Sequence, residues 1–275
     1  MKSTVTKKIR GFGLTFGITV TMLSLFILIP LASILVKGFT LDPKEFIDII
    51  SADNVRYAFI TSIGCSLVAA LINSIFGIIL AWTLVRCDFF YKPLLDGVIE
   101  LPFALPTAVA GITLSRMYSD VGFPGKYLSN IGIKVSYTHL GITMAMVFVG
   151  IPFVVRTIQP VLQKLSPEYE EAATVLGADR FTCFKRVILP ELMPAVLTGF
   201  ALAFARGIGE YGSVIYISGN SAKQHTQVVS YVIMQKLGYM DYEGATAIAL
   251  VMLIISFLIL FGINMVQIKQ SKRTK

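Results

Sequence analysis

Arg206 and Glu210 stand four residues apart in an otherwise apolar run, Arg206-Gly-Ile-Gly-Glu210-Tyr-Gly212. At that spacing both side chains lie on one helical face, and each partly neutralises the other. Counting 1.5 Å per residue from Pro194 puts Arg206 roughly 18 Å along a helix, near mid-membrane. A lone charge there costs about 2.5 to 3.5 kcal/mol on insertion scales, so it must be paired or face a cavity. Two chemistries fit: the pair lines an anion route or its gate, or it is a structural ion pair between helices. Gly207, Gly209 and Gly212 permit close helix approach or local unwinding.

A second constellation is Glu100-Leu-Pro-Phe-Ala-Leu-Pro-Thr-Ala-Val-Ala-Gly111. Pro102 and Pro106 each remove a helix donor and clash with the preceding turn. Inside a bilayer, freed carbonyls are tolerated only against protein or a water-filled cavity. Pro102, Pro106 and Thr107 therefore line a translocation path, or the prolines make a packing kink near the membrane surface. Ile151-Pro152-Phe153 with Arg156 is expected to kink the following span. Tyr239-Met240-Asp241-Tyr242 closes the last outer loop, as a partner contact or a solvated turn.

Sets of residues that would signal an enzyme are missing. There is no H-E-x-x-H, no G-x-S-x-G and no G-x-x-x-x-G-K-[ST]; Gly122-Phe-Pro-Gly-Lys126 is too short for a phosphate loop. Cys65, Cys87 and Cys183 lie far apart, which speaks against a disulfide framework or a metal site. His139 and His225 read as lone histidines. No cofactor, metal or catalytic residue is expected, and the chain has no ATP site of its own.

The elements that position these residues are membrane spans. The 275 residues are 55% hydrophobic and 15% charged, with a mean hydropathy of +0.74. A helix needs about 20 residues to cross the hydrocarbon core. Six runs qualify: residues 14–36, 57–85, one beginning near Leu94, 140–155, 192–217 and 244–268. The expected fold class is all-α, a polytopic membrane protein. Residues 1–56 hold a tail, the first span and an outer loop; 57–268 form the core, with a loop over 157–190; 269–275 form a second tail. The first run is longer than a signal peptide's apolar core and is read as uncleaved. No internal repeat, linker or soluble domain stands out.

The net charge of +8 could suggest nucleic acid, but the basic residues sit at span ends rather than in a patch with interleaved aromatics. Lys and Arg in the loops divide 15 against 8 between the two sides. Under the positive-inside rule, both termini and the 157–190 loop face the cytoplasm.

That loop reads as a short capped helix. Ser166 caps it, Pro167 opens it, and Glu168, Glu170 and Glu171 occupy the positive end of its dipole. Gly177 ends it, where a left-handed residue is wanted. Tyr169, Ala172, Ala173 and Leu176 then form a narrow stripe of mostly small residues, which lets another backbone approach. A second short helix is expected from Asp179 to Lys185 and Arg186, before a Leu189-Pro190 break.

Glu171-Ala172-Ala173, then three residues, Gly177, nine residues, Val187, one residue and Leu189-Pro190 resembles the "EAA" motif of the permease subunits of ATP-binding-cassette (ABC) importers. The family has Ile where this chain has Val187. The resemblance implies the type I importer permease fold, with a coupling helix that docks on a cytoplasmic ATPase. It implies that Tyr169, Glu170, Glu171, Ala172, Ala173, Leu176, Gly177, Leu189 and Pro190 form that coupling surface. The 100–111 stretch, 151–162, 167–173 and 209–215 are similar to the sulfate/thiosulfate permeases; the first of these is shared with molybdate permeases. The implied partners are two copies of an ATP-binding subunit, a sister permease, an extracellular or periplasmic sulfate/thiosulfate-binding protein, and membrane lipid. The implied place is the bacterial inner membrane, multi-pass. A molybdate or tungstate importer, or a stand-alone ion-coupled anion carrier, is the alternative; the carrier would leave the motif loop unexplained.

Overall fold

The computed structural model describes residues 12–271, which form helices and no strands. In chain order these are α1 (Phe12–Phe39), α2 (Pro43–Ser51), α3 (Asp53–Arg86), α4 (Lys92–Ala104), α5 (Thr107–Met117) and α6 (Gly125–Asn130). They are followed by α7 (His139–Lys164), α8 (Glu168–Val175), α9 (Arg180–Ile208), α10 (Val214–Ile217), α11 (Val229–Gly238) and α12 (Tyr242–Ser271). Five of them are long and apolar enough to cross a membrane, and α4 with α5 makes a sixth if the bent pair counts as one span. The basic residues expected in the two tails, Lys2 to Arg10 and Lys272 to Lys275, lie outside the described residues.

Helices α3, α7 and α9 pack on one another as the centre of the molecule. Small residues bring their backbones together: a Cβ on Gly150 would run into the Asn73 side chain, and one on Gly199 into the backbone of Val154. Val154, Val155, Ile158, Leu162, Leu192 and Phe204 fill the space between them. The outward faces of these helices carry exposed Leu, Ile and Phe, as hydrocarbon contact requires. Helix α12 flanks this centre against α9 and α11, and α1 lies along α12 with none of its most apolar window buried.

One expected break is located and three expected limits move. The third span is broken: α4 and α5 meet at 113°. Leu105 is extended at ψ 135°, as the residue before a proline prefers, and Pro106 starts the next helix. Pro102 is tolerated inside α4, so Pro106 makes the break. Helix α7 runs nine residues beyond the expected Val155, continuous through Pro152 and Pro160. The second helix starts after Asp179 as expected, but it does not stop at Lys185 and Arg186, and there is no break at Leu189-Pro190. Instead α9 is one helix from Arg180, and a π-turn over Phe184–Ile188 shifts the hydrogen-bond register just before Pro190, where a missing N–H is then absorbed. Finally, the fifth span does not reach Ile217 as a helix: it ends at Ile208, and α10 resumes only at Val214.

Candidate functional site

The loop helix α8 is built by local rules. The Ser166 hydroxyl accepts the Glu168 N–H at 3.3 Å, and three glutamates occupy the first turn. At the other end Gly177 takes φ +84°. The Gly177 N–H reaches the Thr174 carbonyl at 2.9 Å and the Ala178 N–H the Ala173 carbonyl at 3.0 Å. This pair of bonds is the Schellman closure of a helix C-terminus. Asp179 then caps α9 by accepting the Phe181 N–H at 3.2 Å. Hydrogen bonds from Thr182 first, then from nearby backbone N–H groups, hold its carboxyl below the usual aspartate range.

Packing divides the α8 residues between two faces. Ala173 is buried in the chain's own core beside Cys183 and Ile188. Glu170 also turns inward: its carboxylate lies 2.9 Å from the Arg86 guanidinium at the end of α3. Arg86 donates a second bond, at 2.9 Å, to the Leu165 carbonyl. Tyr169, Glu171 and Ala172 are exposed, and Leu176 and Val175 are 88% and 87% exposed. The outer stripe is therefore Tyr169, Ala172 and Leu176 with Val175, which stripe counting missed, and without Ala173. Gly177 closes it, while half-buried Leu189 and exposed Pro190 sit on α9. These side chains form an exposed apolar cluster on a loop helix, larger than the singly scattered apolar residues of an ordinary surface.

Behind α8, Trp82, Arg86, Cys87, Glu170, Arg180 and Cys183 line a cleft of 450 Å³.

The two helix breaks meet inside the molecule. A Cβ on Gly212 would overlap the Thr107 hydroxyl, and one on Gly111 would overlap the backbone of Ser213. Gly207, one turn earlier, rests on Ser66 of α3. Ser66 lies about 5 Å from the midpoint of the 34-residue helix α3 at 1.5 Å per residue. Arg206 therefore lies about level with the middle of α3, in the last turn of a helix that stops. A cation suits that negative end.

Arg206 and Glu210 form an ion pair. The Glu210 carboxylate is buried and accepts the Ser213 N–H and hydroxyl, both at 2.9 Å. The Ser230 hydroxyl donates to the Glu210 carbonyl at 2.6 Å. Glu210 is thus enclosed at 1% exposure, whereas the Arg206 side chain is 33% exposed. Of the pair, only the Arg206 side chain has accessible surface. Thr107 is half-buried beside this junction, Pro106 exposed at its edge, and Pro102 buried away from solvent.

Two clusters join residues that the sequence holds far apart. Arg156 of α7 meets Asp96 at 2.9 Å and Glu100 at 2.6 Å, both on α4. His139 and His225, expected as lone residues, come together at the opposite end of the molecule from α8. The His225 carbonyl accepts the Thr61 hydroxyl at 2.8 Å and lies 3.0 Å from His139 Nε2. The Tyr57 ring stacks on His225 with centroids 3.6 Å apart. Among the described residues, no three His, Cys, Asp or Glu group as a metal site.

Comparison with known proteins agrees with this geometry. The family model described as "Binding-protein-dependent transport system inner membrane component" matches residues 73–274. The chain is 45% identical to the sulfate transport system permease protein CysT of Salmonella typhimurium, covering 96% of this chain and 95% of the relative. It is 44% identical to the probable sulfate transport system permease protein cysT of Nephroselmis olivacea, covering 98% and 95%. Among solved structures, it is similar to a chain of a bacterial ABC transporter involved in import of the acidic polysaccharide alginate. That match has a TM-score of 0.78 at 16% identity and covers 94% and 96% of the two chains, which shows a shared fold. The chain belongs to the family of binding-protein-dependent transport system inner membrane components, as a multi-pass permease of ABC-importer fold.

Proposed function

We propose that this chain is a permease subunit of an ABC importer that carries sulfate or thiosulfate across the inner membrane. The observation that carries the substrate is the 44–45% identity to sulfate permeases along almost the whole length. The uncovered apolar end of α8 supports the coupling role, because Leu176 and Val175 point away from the protein beside a helix anchored from behind by Arg86.

In this reading two copies of an ATP-binding subunit sit under the loop, and α8 fits a groove on one of them. A sister permease completes the pore, and a solute-binding protein delivers the dianion from outside. The α8 loop and both termini face the cytoplasm, in keeping with the distribution of Lys and Arg. ATP-driven closure of the cassettes pulls on α8, α7 transmits the shift inward, and the junction of the two helix breaks reopens on the other side. Arg206, half open at that junction, offers a guanidinium to the passing anion. Glu210 holds it there and does not meet the solute. ATP is hydrolysed by the partner subunits; this chain supplies pore and coupling surface.

Uptake of labelled sulfate into vesicles carrying the purified complex tests the reading. Uptake should require ATP, the cassette subunit and the binding protein together. Uptake that proceeds without ATP or the cassette subunit overturns it.

A further inference from the structure

Helix α4 is held to the rest of the chain at few points. Ile99 and Pro102 are its buried residues, and Leu94, Val98 and Phe103 are exposed. Ile99 and Leu95 rest on the core that includes Val155 and Ile158 of α7, and two side-chain contacts on the same helix add to this. Phe103 meets Phe153 edge-on with centroids 5.1 Å apart. One turn towards the α8 end, the Arg156 guanidinium spans Asp96 and Glu100, with Gln159 Oε1 as a further acceptor at 2.6 Å. Asp96 and Glu100 are four residues apart, so they share one face of α4 and one planar fork reaches both.

Three features suit this cluster to opening. Its carboxylates are well exposed, at 42% for Asp96 and 56% for Glu100, and ion pairs in that setting are weak and exchange readily. It has two carboxylates for one guanidinium, so either alone can keep the contact. And α4 ends at Ala104; Leu105 is extended and Pro106 has no N–H with which to continue the helix, so rotation there breaks no helical bond of Pro106. The cluster is also connected. Helix α7 ends at Lys164, and the next residue, Leu165, is bonded to Arg86, which holds Glu170 of α8.

We infer that Arg156 is a clasp that fastens the half-helix α4 to α7, and that its release lets α4 swing about Leu105–Pro106 to open the end of the pathway nearest α8. Arg156 is a positioning residue: it acts on the pore through α4, not on the solute. The inference rests on the importer reading and assigns one of its gates.

The test uses the whole complex in lipid nanodiscs, with spin-labelled unnatural side chains at Gly97 of α4 and Val161 of α7. The readout is the distance distribution between the labels, beside ATP hydrolysis and sulfate uptake. Arg156→Gln should shift or broaden the distribution, raise hydrolysis in the absence of solute, and cut uptake about two- to fivefold, the equivalent of losing an exposed ion pair. Asp96→Asn and Glu100→Gln should each keep the wild-type distribution, while the double variant should match Arg156→Gln; such non-additivity is the signature of a shared partner. Arg156→Lys should give an intermediate distribution, since an ammonium lacks the fork. If Arg156→Gln does not assemble, Asp96→Asn/Glu100→Gln, at two exposed positions, carries the same test. Unchanged distributions in these variants, with normal ATP-dependent uptake by the wild type, overturn the clasp and leave the importer reading standing. Wild-type uptake that ignores ATP overturns the importer reading itself.

Discussion

Arg86 at the end of α3 and Glu170 in the first turn of α8 lie 2.9 Å apart. Arg86 also bonds the Leu165 carbonyl at 2.9 Å. One guanidinium therefore fixes both the chain leading into the loop helix and the helix itself. The side chains are 16% and 28% exposed, so the ion pair is partly shielded from solvent, and the hydrogen bond from the Arg86 guanidinium to the Leu165 carbonyl is worth about 1.5 to 3 kcal/mol. Arg86→Ala should leave assembly intact but loosen α8, so that the rise in ATP hydrolysis caused by solute-loaded binding protein falls about tenfold. Hydrolysis assays on the purified complex check this, and Arg86→Lys should recover part of the loss.

The two faces of α8 should respond differently to substitution. Ala173 is packed in the chain's own core, so Ala173→Leu overfills it and should destabilise the isolated permease by about 1 to 3 kcal/mol. Leu176 is 88% exposed, so Leu176→Ala should change that stability by no more than about 0.5 kcal/mol. Thermal unfolding in detergent separates the two. Equal effects would mean that α8 is not seated as described.

At the junction of the breaks, Gly212 has no room for a side chain because of Thr107. Gly212→Val should push α5 off the Glu210–Val214 segment, cost about 1 to 3 kcal/mol and abolish uptake. Gly64 on α3 has nothing within 4 Å of its Cβ position, so Gly64→Ala should be tolerated. Unfolding temperature and uptake of the two variants make the comparison.

Arg206 and Glu210 should behave as a unit. Arg206→Gln leaves a carboxylate at 1% exposure with only Ser213 as side-chain partner, which should cost about 3 kcal/mol. Removing both charges, as Arg206→Gln/Glu210→Gln, should be less destabilising than Arg206→Gln alone. Sulfate uptake should be lost in both, since neither offers a guanidinium. Unfolding curves and uptake together check this, and normal uptake by the double variant would remove Arg206 from the pathway.

Features governed by a few adjacent residues were legible in the sequence. Ser166 and Gly177 bracket α8 as their side-chain chemistry requires, and Pro106 bends the third segment because Leu105 cannot stay helical before it. The six apolar runs were legible for the same reason. Long-range geometry was not. Arg156 finds Asp96 and Glu100 across some sixty residues, and His139 finds the His225 carbonyl across 86; no spacing rule joins such positions. Stripe counting placed Ala172 and Ala173 together, but adjacent residues stand about 100° apart on a helix at 3.6 residues per turn, and the neighbouring core took one of them. Pro190 reads as a break, since proline usually ends helices. The π-turn that absorbs it leaves no mark in composition. Glu210 accepting the Ser213 N–H is a local bond after the end of α9 at Ile208, but the close approach of Gly111 to Ser213 and of Gly212 to Thr107 joins distant segments and is not legible from spacing.

The central claim is that the exposed end of α8 fits against a separate ATP-hydrolysing subunit. A photo-crosslinking side chain placed at Leu176, and in a second preparation at Ala173, in the assembled and transport-active complex tests it most directly. The account predicts that illumination joins position 176 to the ATP-binding subunit and position 173 only within its own chain. An active complex in which position 176 never crosslinks to that subunit would contradict it.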